Sequence, residues 1–66
     1  MNNAKLRGKI AELGLNQKQV SELANIKTPT FCRKLSGKCE WDVLEAVRIS
    51  NVLNLTDEER IEIFLS

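Results

Sequence analysis

Apolar residues recur along the whole chain at spacings of three and four, the period of helices with one buried face. In the first such stretch Leu6, Ile10 and Leu13 form one stripe, which predicts a helix from about Asn3 to Leu13. Gly14 is predicted to end this helix, since glycine adopts the left-handed backbone of a helix end without steric cost. No stretch of the sequence shows the strict alternation that predicts a strand.

Two short helices around a tight turn are predicted next. Asn16 is a suitable N-cap for a helix over 17–24, and Asn25 tolerates the left-handed conformation expected at its end. The apolar residues of this helix that are predicted to face inward are Val20, Leu23 and Ala24. Ile26 lies in the turn, where it is predicted to fill the core.

The second helix of the pair has a start signal at Thr28 and Pro29, because threonine can cap a helix and proline fits its first turn. Phe31 and Leu35 are four residues apart and therefore share the buried face. Gly37 is predicted to end this helix. At about 100° per residue, the residues that point away from the buried face are Pro29, Arg33 and Ser36. Thr30 and Cys32 lie on the flanks of the buried face.

Capping-box patterns predict two more helices, one after Asp42 with Glu45 and one after Thr56 with Glu59. They are predicted to extend to about 53 and about 65. The residues assigned to inward faces are Val43, Ala46, Ile49 and Leu53 on the fourth helix and Ile61, Phe64 and Leu65 on the fifth, while Ile63 falls outside that stripe. The apolar end of the fifth helix either closes the core or supports self-association. Leu44 and Val47, on a flank of the fourth, either pack on another helix or contribute to a dimer.

The chain is predicted to form one all-α, five-helix domain over 1–66. A domain of this length buries only about 60% of its unfolded surface, which is enough for a helical core without staples. No apolar run approaches the roughly 20 residues that span a membrane, and the N-terminus lacks the apolar core of a signal peptide. We therefore expect a cytoplasmic protein with no membrane partner.

The residue types present argue against a catalytic or metal site. The chain has no histidine, and its two cysteines, Cys32 and Cys39, complete neither a disulfide framework nor a zinc site. There is no nucleophile–base arrangement and no phosphate-cradling glycine loop. We expect no enzyme activity, no cofactor and no small-molecule ligand. Cys32 either has a redox role or simply stands in for a small residue.

The formal net charge of +1 conceals a strong asymmetry between the two halves of the chain. Residues 1–38 carry eight Lys or Arg and two acidic residues, a net charge of +6, whereas 39–66 carry two Arg and seven acidic residues, a net charge of −5. Such an asymmetry favours a polyanion contacted by the first half over a set of merely solvated charges. Lys5, Arg7 and Lys9 lie off the buried stripe of the first helix, where solvation is as good an interpretation as a phosphate contact.

The stretch LGLNQKQVSELANIKTPTFCRKLSGK, from Leu13 to Lys38, follows the helix-turn-helix plan. It resembles the DNA-binding domain of the lambdoid phage repressor and Cro family, and the resemblance covers about 6–55. The residues that carry it are the LGLNQ run, Val20, Ile26, Phe31 and the Ser36-Gly37-Lys38 ending. The family usually has Ser or Thr where Lys27 stands, so the helix cap is predicted to move to Thr28.

The resemblance implies that the helix at about 28–36 lies in the major groove of double-stranded DNA. The residues expected to contact bases are Thr28, Pro29, Cys32 and Arg33, and those expected to contact phosphates are Asn16, Gln17, Lys27, Lys34 and Lys38. Purely structural roles remain open for several of them: Asn16 and Thr28 as caps, Pro29 as the helix start and Cys32 as filler.

The expected function is that of a Cro-like phage or bacterial repressor, which binds a palindromic operator as a homodimer. The alternative is a protein-interaction module of the same fold, antitoxin-like or anti-repressor, that binds a protein partner through the acidic half.

Overall fold

Five α-helices contain most of the residues that the computed structural model describes, 2–65. In chain order they are α1 (Asn3–Glu12), α2 (Gln17–Leu23), α3 (Thr28–Leu35), α4 (Val43–Val52) and α5 (Asp57–Phe64). They confirm the all-α prediction, and each lies within about one residue of its predicted bounds. None of the helices in this part of the chain is both long and apolar enough to cross a bilayer.

Local hydrogen bonds fix where the helices begin. The capping boxes predicted at the starts of α4 and α5 are both present, with Asp42 and Thr56 as the N-caps. Asn16 caps α2 as predicted, since its side-chain oxygen accepts from the Gln19 amide at 2.8 Å. Gln19 reaches back to the Asn16 amide at 2.9 Å, which completes a third capping box that was not predicted.

The start of α3 differs from the prediction. Lys27 is the N-cap, without a side-chain cap bond, and Thr28 is already the first helical residue. The Thr28 hydroxyl lies 2.8 Å from the hydroxyl of the fully buried Ser21. Ser21 donates its own hydrogen to the Lys18 carbonyl at 2.8 Å, so Thr28 must be the donor in the hydroxyl pair. The cap predicted at Thr28 is therefore wrong, because this hydroxyl satisfies a buried group on α2 instead.

Residues with a left-handed backbone end four of the five helices. Gly14, Asn25 and Gly37 have φ values of 72°, 57° and 89°, as expected of the residues predicted to end α1, α2 and α3. Asn54, with φ 52°, ends α4 in the same way and was not predicted. Asparagine takes this conformation more readily than other non-glycine residues, so both asparagines suit their turns.

The core lies where all five helices meet. Its buried apolar residues are Leu6, Ile10, Val20, Ala24, Phe31, Leu35, Ile49, Leu53 and Ile63. Trp41, in the α3–α4 connection, packs edge to face on two rings, with centroid distances of 5.4 Å to Phe31 and 6.4 Å to Phe64. Ile26 packs against the same cluster from its turn, as predicted. Trp41 thereby joins α3 to α5 across the end of the core.

Several residues predicted to face inward are exposed instead: Leu13, Leu23, Val43, Ile61 and Leu65. The clearest error concerns α5, where Ile63 was placed outside the buried stripe but is only 1% exposed. Leu44 and Val47, whose flank position was left open, are also exposed.

Two ion pairs join α5 to α1. Glu59 lies 2.9 Å from Lys9, and Glu62 pairs with Lys5. Glu62 and Ile63 lie three and four residues after Glu59, so the two paired carboxylates and the buried Ile63 share one side of α5. The apolar pattern of α5 alone contains no information about these partners.

The Glu59–Lys9 pair makes stability depend on pH. Hydrogen bonds from the Thr56 backbone amide and from Lys9 lower the pKa of Glu59 to about 2, and the bond to Glu59 raises the pKa of Lys9. A lowered carboxyl pKa stabilises the fold above the ordinary value of 4.5, and this stabilisation is lost as pH falls towards 2.

Replacing Glu59 with glutamine is therefore expected to reduce stability at pH 7 but to have little effect near pH 2. Thermal unfolding followed across this pH range measures the difference. Glu58→Gln is the matched control, since Glu58 is exposed in the same helical turn. A destabilisation by Glu59→Gln that is equal at pH 7 and pH 2 would contradict the assignment.

Candidate nucleic-acid interface

The α2–α3 unit presents one face of α3 to solvent. Phe31 and Leu35 are buried, whereas Pro29, Arg33 and Ser36, which the helical period places opposite them, are exposed. The Ser21–Thr28 hydroxyl pair fixes the first turn of α3 against α2. The predicted orientation of this helix is therefore confirmed.

Arg33 lies near the middle of the exposed face. No carboxylate lies within 4.0 Å of its guanidinium in the described part of the chain. The backbone at this residue is fixed, because its carbonyl oxygen accepts a hydrogen bond from the Ser36 hydroxyl at 2.8 Å. A planar group with five N–H donors is thus exposed on a rigid helix.

Gln17 and Cys32 are brought together although 15 residues separate them. The Cys32 thiol donates to the Gln17 side-chain oxygen, with a sulfur–oxygen distance of 3.1 Å. This contact leaves the Gln17 NH₂ group, which has two hydrogens, as the available polar end of that side chain. Two predicted contact residues, one on α2 and one on α3, therefore form a single polar surface.

Lys34 differs from the other predicted contacts because its charge is paired within the fold. Its ammonium pairs with Glu45, and both side chains are largely buried. Glu45 also accepts from the Asp42 amide at 3.0 Å, so the ion pair is part of the α4 cap. The charge of Lys34 is thus compensated within the fold, and we do not include this residue in the candidate interface.

Pairing within the chain separates the cations of the first half into two groups. Lys5, Lys9 and Lys34 contact carboxylates of α4 or α5. The cations that have no carboxylate within 4.0 Å among residues 2–65 are Arg7, Lys18, Lys27, Arg33 and Lys38. Of this second group, Lys27 and Lys38 flank α3 and Arg33 belongs to it. Uncompensated positive charge is therefore concentrated around α3.

Arg7, for which both solvation and a phosphate contact were left open, lies beside the predicted contact residues. Its guanidinium donates to the Leu35 carbonyl, at the end of α3, with a nitrogen–oxygen distance of 2.9 Å. It also lines a notch of about 260 Å³ together with Asn16 and Gln17. The helical pattern of α1 shows only that Arg7 lies off the buried stripe, because its neighbours come from two other helices.

The described residues contain no group of three or more His, Cys, Asp or Glu side chains that could hold a metal ion. Both thiols are free, with Cys32 partly exposed and Cys39 exposed. What the surface of α2 and α3 offers is therefore a rigid helix, hydrogen-bond donors and positive charge, which together suit an anionic partner.

Comparisons of the chain with family models, with curated proteins and with solved structures found no match. The resemblance of the LGLNQ run and the Ser36-Gly37-Lys38 ending to phage repressors thus stays a prediction from those residues.

Proposed function

We propose that the protein is a sequence-specific double-stranded DNA-binding transcriptional regulator of the Cro-like repressor type. In this proposal α2, its turn and α3 are a helix-turn-helix, and α3 is the recognition helix. The observation that carries the proposal is the separation of charges. The cations on and beside the exposed face of α3 lack acidic partners among the described residues, whereas Lys5, Lys9 and Lys34 are paired within the chain.

The cross-section of a helix such as α3 suits this role. An α-helix with its side chains is about 10–12 Å across, which fits the major groove, about 12 Å wide. Arg33 would then pair with the O6 and N7 atoms of a guanine, the commonest specific contact in such complexes. Pro29 offers only apolar contacts, and Thr28, whose hydrogen is donated to Ser21, would contribute its methyl group.

Contacts to the DNA backbone would position this helix. Lys27 and Lys38 lie at the two ends of α3, and the NH₂ group of Gln17 is available beside it. Asn16 uses its side-chain oxygen to cap α2, so only its side-chain NH₂ group remains for a phosphate. Such contacts supply affinity and register, whereas base contacts supply sequence specificity.

One recognition helix reads few base pairs, so a homodimer on a palindromic operator is the arrangement that gains specificity. The half-sites of such an operator are centred about 34–36 Å apart, one turn of DNA. Occupation of an operator by a protein of this size would repress transcription by excluding other proteins from the same site.

A titration with a random-sequence duplex at low and moderate salt tests the DNA-binding proposal. We expect binding whose affinity falls steeply with salt, since phosphate contacts release condensed counterions. Absence of binding at low salt would contradict the proposal and would favour the interaction module that binds a protein partner. A labelled duplex and fluorescence anisotropy are sufficient for this experiment.

Replacing Arg7 with glutamine is expected to weaken binding to all duplexes about equally. The slope of log K against log salt is negative. If Arg7 neutralises one phosphate, its replacement should make this slope shallower by about 0.9. Lys5→Gln is the matched control, because it removes one charge from the same helix but from a lysine already paired with Glu62. Equal slopes for the Arg7 variant and the unaltered protein would exclude Arg7 from the interface.

A further inference from the structure

An apolar groove of about 630 Å³ lies between α4 and α5. Its apolar lining on the two helices consists of Val43, Ala46 and Val47 of α4 and Ile61, Phe64 and Leu65 of α5. In both sets the residues occupy positions i, i+3 and i+4, so each helix contributes one face to the groove. The groove is therefore a trough between two helix surfaces.

This trough concentrates the exposed hydrophobic residues of the domain. Seven large hydrophobic residues are exposed between residues 2 and 65, and four of them line the groove. Val43 is 83% exposed and Leu65 is 78% exposed, so apolar side chains project into solvent at its edges. Scattered apolar residues are normal on a monomer, but a contiguous apolar patch marks an interaction surface.

The polar groups of the less exposed lining residues already have partners. The Ser50 hydroxyl donates to the Ala46 carbonyl at 2.7 Å, and the Trp41 indole N–H donates to the Asn3 side-chain oxygen at 3.2 Å. An occupant of the groove therefore does not need to supply hydrogen bonds to these groups, and apolar side chains suit it.

Ion pairing within the chain leaves a particular set of acidic residues uncompensated. Of the seven acidic residues in 39–66, the four that pair with a Lys or Arg are Glu45, Asp57, Glu59 and Glu62. The other three have no Lys or Arg nitrogen within 4.0 Å among residues 2–65, and they are Glu40, Asp42 and Glu58.

These three carboxylates lie in or beside the groove. Asp42 lines it, Glu40 precedes Asp42 by two residues, and Glu58 follows the lining residue Asp57. The guanidinium of Arg60, which also lines the groove, is neutralised by Asp57 of its own helix. The uncompensated charge around this apolar surface is therefore negative.

We propose that the groove docks an amphipathic helix of another protein, one whose apolar stripe is flanked by Lys and Arg. Apolar residues at i, i+3, i+4 and i+7 of such a helix would fill the trough between α4 and α5, the helix-in-groove mode of recognition. Its cations would approach Glu40, Asp42 and Glu58. Addition of a strand to a sheet edge has no counterpart here, since residues 2–65 contain no strand.

Charge favours this partner over a second copy of the chain. A two-fold symmetric pair formed through α4 and α5 would place the same surface on itself. Residues 39–66, with a net charge of −5, would then face an identical acidic half, and like charges placed together oppose association. A basic helix brings the opposite charge to the same apolar surface.

Docking at the groove leaves α3 accessible. None of the residues proposed to contact DNA lines the groove, so the protein could hold its partner while it occupies an operator. Only this consequence depends on the proposed DNA-binding function; the docking itself does not.

Titration of the purified chain with two synthetic peptides tests the inference in the absence of DNA. Each peptide has about 14 residues, or four helical turns, with leucines in one stripe. One peptide carries lysines beside the stripe, and the other carries glutamates in their place. We expect the lysine peptide to shift the amide resonances of the groove residues and the Trp41 fluorescence, and to bind at least about tenfold more tightly than the glutamate peptide. Added salt should narrow this difference.

Two substitutions separate the charge of the site from its apolar surface. Asp42→Asn removes a charge but keeps the N-cap of α4, because asparagine caps a helix as well as aspartate does. It should weaken the lysine peptide about two- to fivefold, the value of one exposed charge pair, without weakening the glutamate peptide.

Ile61→Gln should weaken both peptides at least about tenfold, as expected for a central apolar position. Leu23→Gln is the matched control, since Leu23 is 65% exposed but does not line the groove. Val47→Gln provides a second groove variant should Ile61→Gln fail to fold, which circular dichroism detects.

Equal binding of the two peptides, or unchanged groove resonances at millimolar lysine peptide, would overturn the inference. Groove resonances that shift with the concentration of the chain alone would also overturn it, because the occupant would then be a second copy. A chain that binds the lysine peptide but no duplex would leave the inference intact and refute the proposed function. A chain that binds duplex but neither peptide would do the reverse.

Discussion

Replacing Phe31 with alanine is expected to lower the free energy of unfolding by about 3–5 kcal/mol, the usual cost of removing a fully buried phenylalanine. The Phe31 side chain is completely buried in α3 and packs edge to face on Trp41. A domain of 66 residues has a total stability of roughly 3–10 kcal/mol. The substitution therefore removes a large share of it, and much of the variant protein should be unfolded at 37 °C.

Urea unfolding, followed by circular dichroism and by Trp41 fluorescence, measures this effect. Leu23→Ala is a suitable control, because Leu23 is an exposed helical residue and its loss should change stability by no more than about 0.5 kcal/mol. Equal unfolding midpoints for Phe31→Ala and the unaltered protein would mean that α3 is not anchored through this side chain.

Replacing Arg33 with alanine is expected to weaken binding to the preferred duplex by about 1–3 kcal/mol and to relax discrimination at one base pair. The guanidinium is exposed and has no acidic partner among residues 2–65, so stability should be nearly unchanged. The loss of affinity for the preferred duplex should exceed the loss of affinity for a random-sequence duplex, because base contacts distinguish sequences and phosphate contacts do not.

The variant Arg33→Lys separates charge from geometry. Lysine keeps the positive charge but lacks the planar pair of donors that matches two acceptors on guanine. We therefore expect Arg33→Lys to retain affinity for random duplex while losing part of its discrimination. Equal losses on preferred and random duplexes for Arg33→Ala would instead make Arg33 a phosphate contact.

The helices and most of their ends were predictable because their signals are local. Asp42 and Thr56 each have their capping partner three residues away, so the sequence alone places the starts of α4 and α5. The left-handed residues Gly14 and Gly37 are similarly local signals. The start of α3 was placed wrongly because Thr28 is a good cap by residue type, and its actual partner is seven residues away on α2.

The orientation of α5 and the grouping of the cations depend on contacts between distant parts of the chain. Glu62, the neighbour of the buried Ile63, pairs with Lys5, 57 residues away. Lys34 was predicted to meet a phosphate, but its partner Glu45 belongs to the next helix. Arg7 joins the candidate interface only because α1 packs beside the end of α3. No pattern within one helix contains these pairings.

Selection of bound duplexes from a random DNA library, followed by sequencing, tests the proposed regulator most directly. We predict enrichment of a two-fold symmetric site whose half-sites are centred about 34–36 Å apart, or 10–10.5 base pairs. A guanine in each half-site should lose its preference in the Arg33→Ala variant. Absence of any enriched sequence, at salt low enough for backbone binding, would contradict sequence-specific DNA recognition by α3.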